Sequence, residues 1–290
     1  MHALENGAGV DEIIVVTSPR EANPAEARNI GARQATGDLL LFVDADVEVH
    51  ASAPQRVRDA FERNTALDAL FGSYDDTPAS KGMVSEFRNL LHHHVHQESP
   101  GEATTFWTGL GAVRRTAFER VGGFDASLEW LEDIDLGMRL ADEGGRIELD
   151  PSIQGTHLKH WSFTGMVKTD FVGRGVPWVE LVLRHGGSSS VLNLGWRHRV
   201  SALAAVVAAA GLAARKPAAV VVSGGALVVL NRRFYNLLLQ RMGVRGAAAG
   251  VILHAAHHLV SVAAVPVGVV RHLTRRCDRG DAVAAYSPAD

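Results

Sequence analysis

The stretch Leu39-Leu-Leu-Phe-Val-Asp-Ala-Asp46 is an apolar run that ends abruptly in two carboxylates. Such a run predicts a buried strand, and open α/β sheets gather their ligands at the carboxyl ends of strands like this one. Asp44 and Asp46 have the same side-chain parity across Ala45, so both can reach one divalent cation. Mg²⁺ or Mn²⁺ takes hard oxygen ligands and commonly shares them with substrate phosphates. Strand ends also carry acids merely to terminate pairing. The tripeptide alone does not separate these readings, so its neighbours have to.

Upstream, Ala27-Arg-Asn-Ile-Gly-Ala-Arg-Gln-Ala-Thr-Gly-Asp38 reads as a helix closed by Gly37 as a left-handed cap. Downstream come Phe106-Trp-Thr-Gly-Leu-Gly-Ala-Val-Arg-Arg-Thr-Ala-Phe-Glu-Arg-Val-Gly-Gly-Phe-Asp125 and Trp130-Leu-Glu-Asp-Ile-Asp-Leu-Gly-Met-Arg-Leu140. This ordered succession resembles the GT-A catalytic domain of family 2 glycosyltransferases, from residue 11 to about residue 185. The resemblance implies an α/β, Rossmann-like nucleotide-diphospho-sugar transferase fold. It also implies a nucleotide-sugar donor, UDP- or GDP-linked, held by the helix and the Asp-x-Asp strand. Arg28, Asn29, Asp44 and Gly109 fall at the donor, and Asp44 and Asp46 at an Mn²⁺ or Mg²⁺ ion. By the same resemblance, Asp133 is the base of an inverting displacement, while Glu132 positions the acceptor or supports the loop.

The residues argue for similar chemistry independently. Sugar transfer from a nucleotide diphosphate requires the charge growing on the departing phosphates to be neutralised, which a cation at Asp44 and Asp46 does. The attacking hydroxyl must also lose a proton, so a carboxylate is needed within hydrogen-bond reach. Glu132 and Asp133 are the candidates, although an acidic first helical turn also occurs simply because it suits the helix dipole. Asp135 reads as a first-turn or salt-bridging acid.

Smaller features carry paired readings. Arg28 is a nucleotide contact or a solvated helix residue. Gly109 and Gly111 permit close backbone approach to a donor, or belong to buried strand packing over 109–113. Trp107 stacks on a sugar or lies in the core, and Gly122-Gly-Phe-Asp125 reads as a turn before the catalytic helix. His157 is a third metal or diphosphate contact, or a hydrogen-bonded interface histidine. In His92-His-His-Val-His96 only pairs at i, i+3 or i, i+4 share a helix face, such as His92 with His96, which favours an acceptor-side or membrane-adjacent helix over a zinc site.

Behind this domain the character of the chain changes. The 290 residues carry a net charge of −3, yet no Asp or Glu occurs from Leu181 through Cys277. Basic residues flank uncharged apolar blocks there, a membrane signature. The blocks are Val200 to Ala214, Ala218 to Leu230 and Ala247 to Val270. They predict three membrane segments, the first two a hairpin or re-entrant pair, the third packed on protein because it contains His254, His257, His258 and Pro266. Asn231 to Arg241 and Phe163 to Arg184 read as amphipathic helices at the headgroup boundary. The expected division is a catalytic domain at 1–185, a linker at 186–198 containing Gly186-Gly-Ser-Ser-Ser190, membrane or interfacial helices at 199–276 and a tail at 277–290. The single Cys277 excludes an intramolecular disulfide and reads as an idle thiol.

The amino terminus departs from the family pattern. The first clear strand, Glu12-Ile-Ile-Val-Val16, resembles the family's second strand. The family's first strand has no counterpart, and Thr17-Ser-Pro-Arg20 replaces its acidic turn. The expected protein is a multi-pass enzyme of the bacterial inner or plasma membrane with a cytoplasmic catalytic domain and a lipid or polyprenyl-type acceptor. No nucleic-acid partner is expected. The alternative is a truncated, non-catalytic membrane protein on the same scaffold. A nucleotidyltransferase is disfavoured, because no Gly-rich phosphate loop with a nearby Lys precedes the aspartates.

Overall fold

A computed structural model of the chain describes residues 10–17, 19, 23–186 and 195–284, with side chains as far as Arg275. Helix α1 (Pro24–Gln34) starts at Asn23, whose side-chain oxygen accepts from the Glu26 N–H at 2.8 Å. It stops at Ala35 in an extended conformation. Gly37 is therefore not the left-handed cap predicted for it. The backbone N–H groups of Thr36 and Gly37 donate instead to the Glu12 carboxylate, at 2.5 and 3.0 Å.

Strand β1 (Leu39–Val43) lies where the apolar run placed it. β2 (Val47–Val49), α2 (Ala53–Arg63), β3 (Leu67–Tyr74), α3 (Met83–Gln97) and β4 (Gly101–Ala103) follow. Then come β5 (Leu110–Arg114), α4 (Arg115–Arg120), α5 (Glu132–Asp142) and β6 (Arg146–His157). The six strands form one mixed sheet in the order β1-β5-β3-β6-β2, with β4 also on β6. β3 and β6 run parallel, and β1 pairs antiparallel with β5 from Leu39↔Arg114 to Val43↔Leu110. β1 thus lies at the sheet edge among the described residues. The segment Glu12–Val16 forms no strand, contrary to its apolar pattern. Nothing pairs with it to make a ladder, and Val15 is 58% exposed.

Apolar side chains cover both faces of the sheet. Leu40, Phe71, Phe106, Phe118 and Leu136 pack on the α1, α4 and α5 side. Val57, Phe61, Leu70 and Ile153 pack beneath α2. A third cluster joins α3 to the carboxyl-terminal part: Phe87 and Leu90 meet Trp161, Met166, Phe234 and Leu238.

After β6 the chain forms α6 (Phe163–Lys168), a π-helical turn (Thr169–Gly175) and α7 (Val176–Arg184). Most of the predicted linker, including Ser188 to Ser190, lies outside the described residues, and α8 (Trp196–Ala213) already begins in its last three positions. α8 and α9 (Pro217–Leu230) make a hairpin. At 1.5 Å per residue these helices are about 27 and 21 Å long, against about 30 Å of hydrocarbon in a bilayer.

α10 (Arg232–Ala284) is broken at Gly243, where φ is +70°. Its stretch Arg232–Arg275 is the one described helix long and apolar enough to cross a membrane by length and composition. Residues 231–241 bury part of their apolar face within the protein. Phe234, Tyr235 and Leu238 are buried against α3, because Phe87 and Leu90 give them an apolar partner within the protein. Beyond the break, α10 stays against the π-helical turn and α7. His257 Nδ1 meets Asp170 at 2.8 Å, and Arg271 and Arg275 each meet Glu180 at 2.9 Å. Its other side exposes Ile252 and Val270, at 72% and 60%.

Candidate active site

β1 ends at Val43, and the chain turns at once, with the Val47 N–H donating to the Asp44 carbonyl at 3.0 Å. This turn carries Asp44 and Asp46 at the sheet edge. Opposite it, α5 opens with Glu132 and Asp133. The residue before them, Leu131, has φ +63°, a strained conformation for a side-chain-bearing residue. Gly122 and Gly123, with φ of +78° and +73°, make the turn that leads toward this helix, as predicted.

Arg28 joins the two carboxylate sets. Its Nη2 lies 2.6 Å from Asp44 Oδ1, and its Nη1 is hydrogen-bonded to Glu132 Oε1. Burial works against the Arg28 charge, but Asp44 and Glu132 more than offset it and raise its pKa above the ordinary guanidinium value. Asn29, one residue on, does not face the carboxylates. Its amide donates to the Phe124 carbonyl at 2.8 Å and accepts from the Phe124 N–H at 3.0 Å, which pins the glycine turn.

Asp133 Oδ1 accepts from the Ile134 N–H at 2.8 Å, and Oδ2 lies 3.3 Å from the Thr108 N–H. Burial raises the pKa of Asp133 above the usual carboxylate value. Burial, then the neighbouring Asp133 charge, does the same for Glu132. The two titrate as a pair, with Arg28 pulling both back down.

Asp46 faces the end of β6. His157 Nε2 and Lys159 Nζ stand 3.7 and 3.9 Å from its Oδ2, and the imidazole holds its pKa below the usual range. His157 is buried and stacks on Tyr74 at 4.2 Å between centroids. Trp107 packs against Tyr74 and His92, at 4.8 and 4.7 Å, and closes an aromatic group beside the aspartates. A Cβ on Gly109 would lie 2.1 Å from the Trp107 ring, so glycine there is needed for the indole to lie flat on β5. Asp135 pairs with Arg139 at 2.7 Å, the salt-bridging role expected of it.

Among the described residues, no group of three or more His, Cys, Asp or Glu forms a ready-made metal cage. Asp44 and Asp46 do supply hard oxygen donors, both partly accessible, as suits Mg²⁺ or Mn²⁺ that completes its shell from phosphate and water. The histidines of α3 go elsewhere: His96 meets the Gly72 carbonyl at 2.9 Å, and His94 stacks on Phe234 at 5.2 Å. Sequence reasoning missed Lys159 and Thr108. Lys159 shares strand parity with His157 and was legible on that ground. It also missed the buried pair Arg88–Asp170, 2.5 Å apart, which no local spacing signals.

The mixed α/β sheet thus brings two carboxylate sets together at one edge. Residues 3–122 match the model of glycosyl transferase family 2. An uncharacterized glycosyltransferase of Haemophilus influenzae is 28% identical over 137 residues, covering 45% of this chain and 45% of that protein. The pre-mycofactocin glycosyltransferase of Mycobacterium tuberculosis is 27% identical over 159 residues, covering 48% and 31%. The chain spans less than half the length of these curated relatives. Among solved structures, the mannosyltransferase PcManGT of Pyrobaculum calidifontis, in complex with GDP-Man and Mn²⁺, aligns with a TM-score of 0.46 and 19% identity, over 79% of this chain and 66% of that one. The likeness to glycosyl transferase family 2 covers residues 3–122 of the 290.

Proposed function

We propose that this chain transfers a sugar from a UDP- or GDP-linked donor to a lipid or lipid-linked acceptor at a membrane, with inversion at the anomeric carbon. One observation carries the reading. Arg28 ties Asp44, at the end of β1, to Glu132, at the start of α5, so carboxylates far apart in sequence share one groove.

In this reading the donor diphosphate lies against the β1 turn and the acceptor hydroxyl beside Asp133. The hydroxyl oxygen forms its bond to the anomeric carbon as the bond from that carbon to the β-phosphate oxygen breaks. The nucleoside diphosphate leaves with the electron pair, and the hydroxyl proton passes to Asp133. A burial-raised pKa suits Asp133 to that proton transfer, and Glu132 anchored by Arg28 keeps the α5 terminus in place. Asp44 and Asp46 would hold Mn²⁺ or Mg²⁺, with His157 beside them, and the ion supplies Lewis-acid neutralisation of the departing phosphates. Asn29 serves this site by positioning the turn at Phe124.

The acid-free stretch from Leu181 through Cys277 and the exposed apolar faces of α8, α9 and α10 support membrane attachment. Arg197, Arg199, Arg232 and Arg233 at the base of the hairpin outnumber Arg215 and Lys216 at its tip, which favours a cytoplasmic catalytic domain. A second reading, a scaffold that binds without turnover, has one observation in its favour: β1 keeps an unpaired edge among the described residues.

Calorimetry on detergent-purified protein with UDP and GDP, with and without Mn²⁺, tests the proposal. Metal-dependent binding of one nucleotide, lost in Asp46→Ala, supports the transferase. Folded protein that binds neither nucleotide leaves the scaffold reading.

A further inference from the structure

The tail and the catalytic domain enclose a second cavity, of about 470 Å³, away from the carboxylates. α3 separates the two sites. His92 and His96 turn toward Trp107 and the sheet, whereas Leu91, His94, Val95 and Glu98 line this cavity from the other side of the helix. Its remaining walls are the first turn of α8, the α9–α10 junction, His254 and His257.

The cavity has both basic and apolar lining residues. Glu98 is its one acidic residue, and Arg233 pairs with it at 2.8 Å. Arg197 and Arg232 also line it, and among the described residues neither has a carboxylate partner. Among the described residues no side chain caps α8 at Gly195, and the positive end of this 18-residue helix faces the cavity.

Two imidazoles of the wall, buried His254 and half-buried His257, have their Nδ1 atoms engaged, by Tyr235 at 2.9 Å and Asp170 at 2.8 Å, while their Nε2 atoms have no partner among the described residues. His258, 1% exposed, has no partner for either nitrogen and packs against His198, a lining residue, at 4.7 Å. Leu91, Val95, Val229 and Leu230 supply apolar wall. From the cavity the α8–α9 hairpin extends with Leu203, Val207, Val221 and Val222 exposed. Guanidinium groups and helix N–H donors beside an apolar hairpin fit a phosphate on an acyl chain.

We infer that this cavity binds the phosphate headgroup of an anionic phospholipid, whose chains lie along the α8–α9 hairpin, at a site separate from sugar transfer. The inference rests on the membrane reading above, but not on the identity of donor or acceptor.

Native mass spectrometry of the detergent-purified full chain tests it with phosphatidic acid and phosphatidylcholine, alongside calorimetry with inorganic phosphate. The expected result is one retained phosphatidic acid per chain, without comparable retention of phosphatidylcholine. Arg197→Gln with Arg232→Gln should weaken that binding about 30-fold, the effect of two basic side chains near an anionic lipid surface. Nucleotide binding with Mn²⁺ should be unchanged in the same double variant, which separates failure of this site from failure of the transfer site. Equal retention of phosphatidylcholine, or undiminished phosphatidic acid binding by the variant, overturns the inference. Inorganic phosphate binding as tightly as phosphatidic acid also overturns it, and would assign the cavity to the free ion.

Discussion

Arg28 lies between carboxylates from two segments and moderates the ionisation of a third. Burial raises the pKa of both Glu132 and Asp133, and the Arg28 charge opposes that rise. In Arg28→Gln the opposition is lost, both acids rise further, and a larger fraction is protonated at any given pH. In the transferase reading the base works ionised, so the acid limb of the kcat/KM profile should move to higher pH; an unmoved limb would remove Arg28 from the electrostatics of the site. Asp133→Asn should retain donor affinity by calorimetry while kcat falls by roughly 10²–10⁴-fold, the scale of a lost general base. Wild-type turnover would exclude Asp133. These acids were legible in the chain because Asp44-Ala-Asp46 closes an apolar run and Glu132-Asp133 opens a helix. The position of Asn29 was not, since whether an amide meets a ligand or the Phe124 backbone depends on a turn 95 residues away.

Among the elements, β5 and the π-helical turn carry the sharpest packing constraints. Gly109→Ala sets a methyl group 2.1 Å from the Trp107 ring, so the indole must be displaced. Overpacking of this kind should lower unfolding stability by about 1–3 kcal/mol, read as a reduced denaturation midpoint. The π turn holds Asp170 against Arg88 and His257, and both members of the Arg88–Asp170 pair are buried. Asp170→Ala strands that guanidinium, whose pKa burial already pulls down to about 10. Chemical denaturation should show a loss of about 3–5 kcal/mol, as for other broken buried pairs. A midpoint near wild type would show that α10 does not depend on this contact. Apolar periodicity and the glycine pair at 122–123 made β1, β5 and α5 readable. The π turn left no such trace, because it arises from Asp170, Gly173 and Gly175 meeting Arg88, Trp130 and Ala264, all distant in sequence. Gly37 misled for a related reason: Glu12 takes the Thr36 and Gly37 N–H groups that a left-handed cap would turn back onto the helix, and Arg115 donates to the Ala32 carbonyl instead.

For the molecule as a whole, the distribution of charge told more than any motif. The absence of acids from Leu181 through Cys277 marked a region unlike the domain before it. What composition could not show is that α10 lies along the catalytic domain, held by Asp170 and Glu180 from the α6–α7 region. Attachment through the outer apolar faces predicts that alkaline carbonate will not release the protein from membranes. Val221→Glu with Val222→Glu, at two positions each 72% exposed, should move it toward the soluble fraction. Unchanged retention would place the attachment elsewhere.

The packing around the π turn has one more consequence. Gly173 abuts Trp130, two residues before Glu132, while Gly175 abuts Ala264 of α10. The start of α5 is thus connected to α10 through close packing on both sides of the π turn. In the transferase reading that connection is a gauge. It fixes the height above the bilayer at which a hydroxyl can be glycosylated, and so selects among acceptors by how far their headgroups project.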